Sequence, residues 1–164
     1  MIIDLKKIKQ LGKERERENF KFRSFLKGQD SAKIDRIVHE LNRYYSSKID
    51  CAECGNCCIE LQALINKNDL EKLTAGLEIS DSELKEKYTE VDEDGDLYFK
   101  HKPCRFLRDK KCEIYNFRPA DCESYPHLHK ENFIGRLFGV IDNYSICPIV
   151  FNVYEDLKEE LGFN

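Results

Sequence analysis

Four cysteines fall within eight residues in the stretch Cys51-Ala52-Glu53-Cys54-Gly55-Asn56-Cys57-Cys58, and no other feature limits the folds open to this chain so strongly. Thiolates are strong ligands for soft metals, and two-residue gaps let successive sulfurs converge on one centre, so the run reads as the floor of a metal site. Four more cysteines follow singly at Cys104, Cys112, Cys122 and Cys147, and none lies in the first fifty residues. The thiols therefore belong to residues 51–164.

Eight cysteines in a secreted chain would suggest disulfides. The amino terminus, Met1-Ile2-Ile3-Asp4-Leu5-Lys6-Lys7, lacks the basic start, apolar stretch and small-residue cleavage site of an export signal, so a cytoplasmic location is expected. A reducing cytosol favours metal over disulfides. With 164 residues the chain fits one domain. Charged residues make up 35% of it, and no apolar run approaches the roughly 18 to 20 residues of a membrane helix, so membrane insertion is excluded. Residues 1–50 hold 13 Lys or Arg against 8 Asp or Glu, and residues 51–164 hold 14 against 23, so a basic segment precedes an acidic, thiol-bearing body. Phosphate binding wants a basic surface, which makes nucleic acid a poor partner for the cysteine region.

Residues 3 to about 27 read as a helix whose charged middle, Lys13 to Glu18, has no apolar face. Gly28 to Ser31 stops it and caps a second helix carrying Ile34, Ile37, Val38, Leu41 and Tyr45. After the cysteine run, Asn66 to Asp69 offers a cap for a helix with Leu70, Leu73 and Leu77, and Ser80-Asp81-Ser82-Glu83 is a capping-box pattern for a short helix to about Tyr88. Asp92-Glu93-Asp94-Gly95-Asp96 then resembles the opening of a calcium loop. Counting Asp92 as position 1 puts Leu97 where the glycine belongs and Pro103 where the bidentate glutamate belongs, so an Asp-Gly hairpin turn into a strand at Leu97 to Lys100 is the better reading. The segment from Pro103 to Pro126 suits loops tied to a metal, with Pro119 opening a short helix that holds Cys122 in or near its first turn. Phe133 to Ile141 is read as a strand, and Cys147-Pro148 as the start of a final helix closed by Gly162.

Cys51, Cys54 and Cys57 have the spacing that bacterial-type ferredoxins use for three corners of a [4Fe-4S] cluster, with Cys104, Cys112, Cys122 or Cys147 available as the fourth ligand. Zinc would ask for four thiolates in a tetrahedron, usually from paired knuckles, and only the first cluster supplies such knuckles. Eight thiols also suffice for two four-cysteine sites, with the adjacent Cys57 and Cys58 serving one each. Gly55 lets the chain turn between ligands and brings amides near the sulfurs. His101, His127 and His129 are further candidate ligands, although plain loop histidines fit as well. Arg118 could balance the charge of a thiolate cluster or form a salt bridge.

With these residues laid out, Cys51-x-x-Cys54-x-x-Cys57-Cys58, Pro103-Cys104-x-Phe106-Leu107, Cys112-x-Ile114-Tyr115-x-x-Arg118-Pro119-x-x-Cys122-x-x-Tyr125-Pro126 and Cys147-Pro148 resemble the CxxCxxCC cysteine-cluster family of zinc- or iron-chelating proteins, distantly related to flagellin lysine N-methylase. The resemblance implies that Cys51, Cys54, Cys57, Cys58, Cys104, Cys112, Cys122 and Cys147 together form the metal-binding set, without saying which metal. The expected fold is mainly α with a small β-hairpin or sheet, its helices and loops arranged around a cysteine-bound metal centre. Residues 1–50 would form a basic helical segment packed on a body of residues 51–164, as a single domain overall. The expected function is a metal-binding protein that holds an iron-sulfur cluster, [4Fe-4S], or zinc in a structural, electron-transfer or metal-handling role. Two alternatives stand beside it, a lysine-methylase-like modifying enzyme and a zinc-stabilised module whose basic amino-terminal helices dock a protein partner. No glycine-rich loop for S-adenosylmethionine stands out to support the first.

Overall fold

The computed structural model describes residues 1–163, and the chain is mainly helical with two small antiparallel sheets. In chain order its helices are α1 (Leu5–Glu14), α2 (Glu16–Leu26), α3 (Ser31–Ser46), α4 (Cys51–Cys54), α5 (Asn56–Glu60), α6 (Lys67–Leu77), α7 (Asp81–Tyr88), α8 (Ala120–Ser124), α9 (Leu137–Tyr144) and α10 (Pro148–Glu160). The strands β1 (Thr89–Val91) and β2 (Leu97–Phe99) pair with each other, as do β3 (Leu107–Arg108) and β4 (Lys111–Cys112). The chain divides into two compact units, a helical unit of residues 1–51 with those from Pro126 onward, and a cysteine unit of Ala52–Tyr125. Among the described residues, no helix is long and apolar enough to cross a membrane.

In the helical unit, the side chain of Asp4 accepts from the Lys6 and Lys7 amides and starts α1, and Asp30 accepts from Lys33 to start α3. The single helix expected over residues 3–27 is two, divided at Arg15, whose ψ of 8° breaks the regular turn. The uniformly charged middle has nothing to bury, so no packing holds it straight. Gly12 lets the chain pass close to Ser145, since a Cβ there would lie 2.6 Å from the serine Cβ. Helix α10 is the centre of this unit, with Pro148 to Tyr154 all buried. Its Tyr154 ring meets Phe22 edge-on at 5.1 Å, and its Phe151 ring lies 4.8 Å from Tyr144. The two polar side chains sunk with it are satisfied. Asn152 exchanges two hydrogen bonds with the Ile2 backbone, and the Lys158 ammonium donates to Glu18, Asn19 and Glu155.

The strand expected at Phe133 to Ile141 is absent. A 3-10 turn at Ile134–Arg136 leads into α9, because buried Phe133, Leu137, Val140 and Tyr144 recur at helical rather than alternating spacing. Arg136 secures the entry by donating to the carbonyls of His127, Lys130 and Glu131. The last helix begins as expected, with Cys147 as its cap and Pro148 as its first residue, and Gly162 closes it at φ 61°.

The cysteine unit packs on Ile65, Leu73, Leu84, Phe99, Phe106 and Ile114, with Cys104 and Cys112 against the same core. Asn66 and Asp69 form a reciprocal capping box that starts α6. Ser80 caps α7 by accepting from Glu83, but the Glu83 carboxylate pairs with Lys87 instead of reaching back. The acidic turn joins β1 to β2 as a hairpin, and Asp92 folds its own carboxylate onto the amides of Asp94 and Asp96.

Candidate metal centre

The cysteine run breaks in its middle at Gly55. Helix α4 sets Cys51 and Cys54 one turn apart on one face, with Cys51 exposed and Cys54 half-buried. Gly55 then takes φ 62° and caps α5. A side chain is disfavoured there twice over, by the left-handed backbone and by space, since a Cβ would lie 3.2 Å from the Lys110 carbonyl. This approach seats the run against the β3–β4 turn, in which Asp109 and Lys110 are both left-handed. Cys57 and Cys58 fall in the first turn of α5. A hydrogen bond with Cys57 pulls the Cys58 thiol down to about 7 against the opposing effect of burial.

Three cysteines from later in the chain come to Cys58. The Cys104 amide donates to the Cys58 carbonyl over 2.6 Å. Cys112 lies opposite Leu107 in the β3–β4 pair, and the Glu113 amide donates to the Phe106 carbonyl, so the hairpin holds Cys104 and Cys112 on one short frame. The Phe106 amide bonds the Cys104 sulfur and the Ile114 amide bonds the Cys112 sulfur, in each case from two residues onward. Such bonds favour thiolates, but burial outweighs them and raises both thiols. Cys122 sits in the first turn of α8 and is pushed up to about 12, first by burial and then by the charges of Cys58, Asp121, Cys104 and Cys112. Cys58, Cys104, Cys112 and Cys122 are thus one set, in which charge on one sulfur is felt by the others.

Two carboxylates missed as site residues hold α8 in place. Buried Asp69 bonds both the Asn66 amide and the Ala120 amide, tying the start of α8 to the start of α6, and Asp121 accepts from the Leu64 amide. Asp69 could have been found from Asn66-x-x-Asp69, which is a capping signal; its second bond to Ala120 joins positions 51 apart and leaves no mark in the sequence.

The other candidates have different surroundings. Cys147 is buried in the helical unit at the cap of α10, and Cys51 is exposed at the start of α4. His101 is exposed in the cysteine unit. His127 and His129 lie in the helical unit, where burial, then Lys130, His127 and Arg136 push His129 down.

The donor chemistry of the four-thiol set fits a soft metal. Its members are half-buried thiols rather than disulfides, and two of them accept amide hydrogen bonds. Among the described residues, no group of three or more His, Cys, Asp or Glu side chains is placed so as to hold a metal ion.

Comparison with known proteins agrees with this chemistry. Residues 50–138, more than half of the chain, match the family CxxCxxCC, described as "Putative zinc- or iron-chelating domain". No curated protein and no solved structure matches the chain. With four of its thiols gathered in one unit and the match spanning that unit, the chain belongs to the CxxCxxCC family.

Proposed function

We propose that the chain is a metal-binding protein whose metal, zinc or iron, organises the cysteine unit. Cys58, Cys104, Cys112 and Cys122 supply the principal ligands, with Cys54 and Cys57 of the same unit as further candidates. One observation carries this reading. The four thiols arrive from α5, the chain just after a helix-free stretch, a strand of two residues and a helix of five, elements too short to hold one another in place by their own hydrogen bonds. A thiolate-bound metal supplies the missing cross-link, as structural metal sites do in other small frames. Bound there, zinc would cross-link four sulfurs as a closed structural ion, whereas iron with sulfide would add electron transfer.

The test is metal and acid-labile sulfide content on protein purified without oxygen, with a visible spectrum of the same sample. About four iron and four sulfide per chain, with broad absorption bleached by dithionite, establishes a [4Fe-4S] protein. One or two zinc without sulfide establishes a structural or metal-handling site. A chain that carries neither metal, and takes up neither from solution, refutes metal binding.

A further inference from the structure

Helix α6 carries no cysteine, yet the chain that leads from Cys112 to Cys122 is fastened to it at two points. At one, the 3-10 turn Tyr115–Phe117 packs so closely that a Cβ on Gly76 would lie 2.5 Å from the Phe117 ring. At the other, Asp69, which is 1% exposed, accepts from the Ala120 amide over 2.9 Å with one carboxylate oxygen and from the Asn66 amide over 3.0 Å with the other. Gly76 and Asp69 are two turns apart on α6, about 10 Å along its axis. The chain from Phe117 to Ala120 covers nearly the same distance, about 9 Å, because Arg118 and Pro119 between them are extended, with ψ at 154° and 150°. It therefore runs back along α6 with little slack.

Helix α8, to which this stretch leads, has five residues, and Pro119 at its cap offers no side-chain acceptor. A helix so short does not hold its own first turn, and that turn contains Cys122. The Asp69 carboxylate supplies from another helix the acceptor that Pro119 lacks, and with both oxygens bonded to amides in a buried place it has little freedom to shift. The other tie on α8, from the Leu64 amide to Asp121, is exposed and weaker. Resting on the metal-binding function proposed above, we infer that α6 is the splint of the cysteine centre and that Asp69 is its positioning residue, setting through Ala120 where the Cys122 sulfur arrives. Asp69 touches no metal in this role and acts on one ligand of the four.

The experiment is alkylation of the metal-loaded full chain with iodoacetamide, read cysteine by cysteine from peptide masses, in the parent and two variants. Asp69→Ala removes the bond to Ala120, whereas Asn66→Ala removes the side-chain cap of α6 and keeps that bond. In the parent, metal should protect Cys58, Cys104, Cys112 and Cys122. In Asp69→Ala, Cys122 should react about 10-fold faster or more, the low end of the loss typical when a group that orients a ligand is removed, while the other three stay protected. Asn66→Ala should melt at a lower temperature, as loss of a cap requires, without unmasking Cys122. Should Asp69→Ala not fold, Asp69→Asn keeps the side chain's size and one acceptor oxygen and gives the same comparison. Cys122 as well protected in the Asp69 variant as in the parent overturns this inference alone, as does a loaded parent in which Cys122 is unprotected. Uniform exposure of all four thiols, or equal unmasking of Cys122 in Asn66→Ala, overturns it as well, because Asp69 would then support the fold at large. A parent chain that takes up neither zinc nor iron overturns the metal-binding function and this inference with it.

Discussion

The Cys104 amide donates to the Cys58 carbonyl over 2.6 Å, joining the end of the cysteine-rich run to the start of the hairpin that carries Cys112. This bond spans 46 positions and brings two candidate ligands together by backbone alone. The β3–β4 pairing adds Cys112 to the same backbone frame, so three of the four proposed ligands are brought together by main-chain bonds. Cys58→Ser keeps the backbone bond but replaces a soft sulfur with an oxygen that stays protonated at neutral pH, so it should reduce zinc or iron retention sharply while leaving the far-ultraviolet circular dichroism of the metal-free chain unchanged. Full metal content in purified Cys58→Ser would remove Cys58 from the ligand set.

Gly55→Ala tests the seat of the run. Alanine at φ 62° costs about 1 to 2 kcal/mol, and its Cβ would press on the Lys110 carbonyl at 3.2 Å, so the run must shift away from the β3–β4 turn. Denaturant unfolding should show a loss of at least that size, and metal affinity should fall with it. Unaltered affinity in a folded Gly55→Ala protein would mean that the approach of Gly55 to the hairpin does not position the ligands.

Metal removal should act unevenly. The helical unit has a core of Phe22, Phe133, Tyr144, Phe151 and Tyr154, whereas residues 104–122 add Phe106 and Ile114 to the core of the cysteine unit and otherwise form two-residue strands, one 3-10 turn and a five-residue helix. Chelation should therefore erase amide hydrogen-exchange protection across residues 104–122 and leave α10 protected. Equal protection of residues 104–122 with and without metal would refute a structural role for the ion.

Much of this arrangement was legible in the sequence, and the failures have physical causes. The α10 start was plain because Cys147-Pro148 joins a cap to a residue that tolerates only the first helical position. The Asp92 turn was plain because aspartate can fold onto the amides that follow it and Gly95 supplies a positive φ of 87°. The β3–β4 hairpin was not, since its left-handed pair is Asp109-Lys110 rather than a pair ending in glycine, and Lys110 accepts that conformation under the contacts of the surrounding unit. The strand expected at Phe133 to Ile141 failed because its aromatic and alternating residues suggested a strand, while the burial of Leu137, Val140 and Tyr144 follows a helix. At the site, the cysteines announced themselves, but their grouping depends on Cys58 meeting Cys104 and on Asp69 holding Ala120, contacts between residues about fifty positions apart.

Metal uptake should depend steeply on pH. Burial raises the thiols of Cys104, Cys112 and Cys122, so at neutral pH these three enter the site protonated and must release their protons to bind, while Cys58 at about 7 is partly ionised. Apparent affinity should therefore rise with pH, by roughly 1,000-fold per unit if about three protons leave. Cobalt titrations at pH 6.5 and 7.5, with proton release followed in weak buffer, give the slope. Affinity that does not change between them would show that these thiols are not the ligands displaced from their protons.

The helical unit should lose stability in alkali. Burial raises Tyr144 to about 12 and pushes Tyr154 further in the same direction, and burial with the Asp156 carboxylate also raises Tyr45. A group whose folded pKa lies above its unfolded value stabilises the fold fully below the unfolded pKa, near 10 for tyrosine, and that contribution is lost as pH rises toward the folded value. Lys158 is pushed down by burial and has the opposite sign, so it contributes a rise in stability with pH that ends near the unfolded lysine pKa of about 10.4. With three tyrosines against one lysine, stability should fall between pH 10 and 12, each tyrosine contributing about 1.4 kcal/mol per unit once its unfolded form is ionised. Urea unfolding at pH 9, 10.5 and 11.5 gives the profile, and Tyr154→Phe should flatten it at the cost of the hydroxyl's bond to the Asn19 carbonyl. A parent and a Tyr154→Phe protein that lose stability in parallel across this range would show that Tyr154 ionises as readily in the fold as in the open chain.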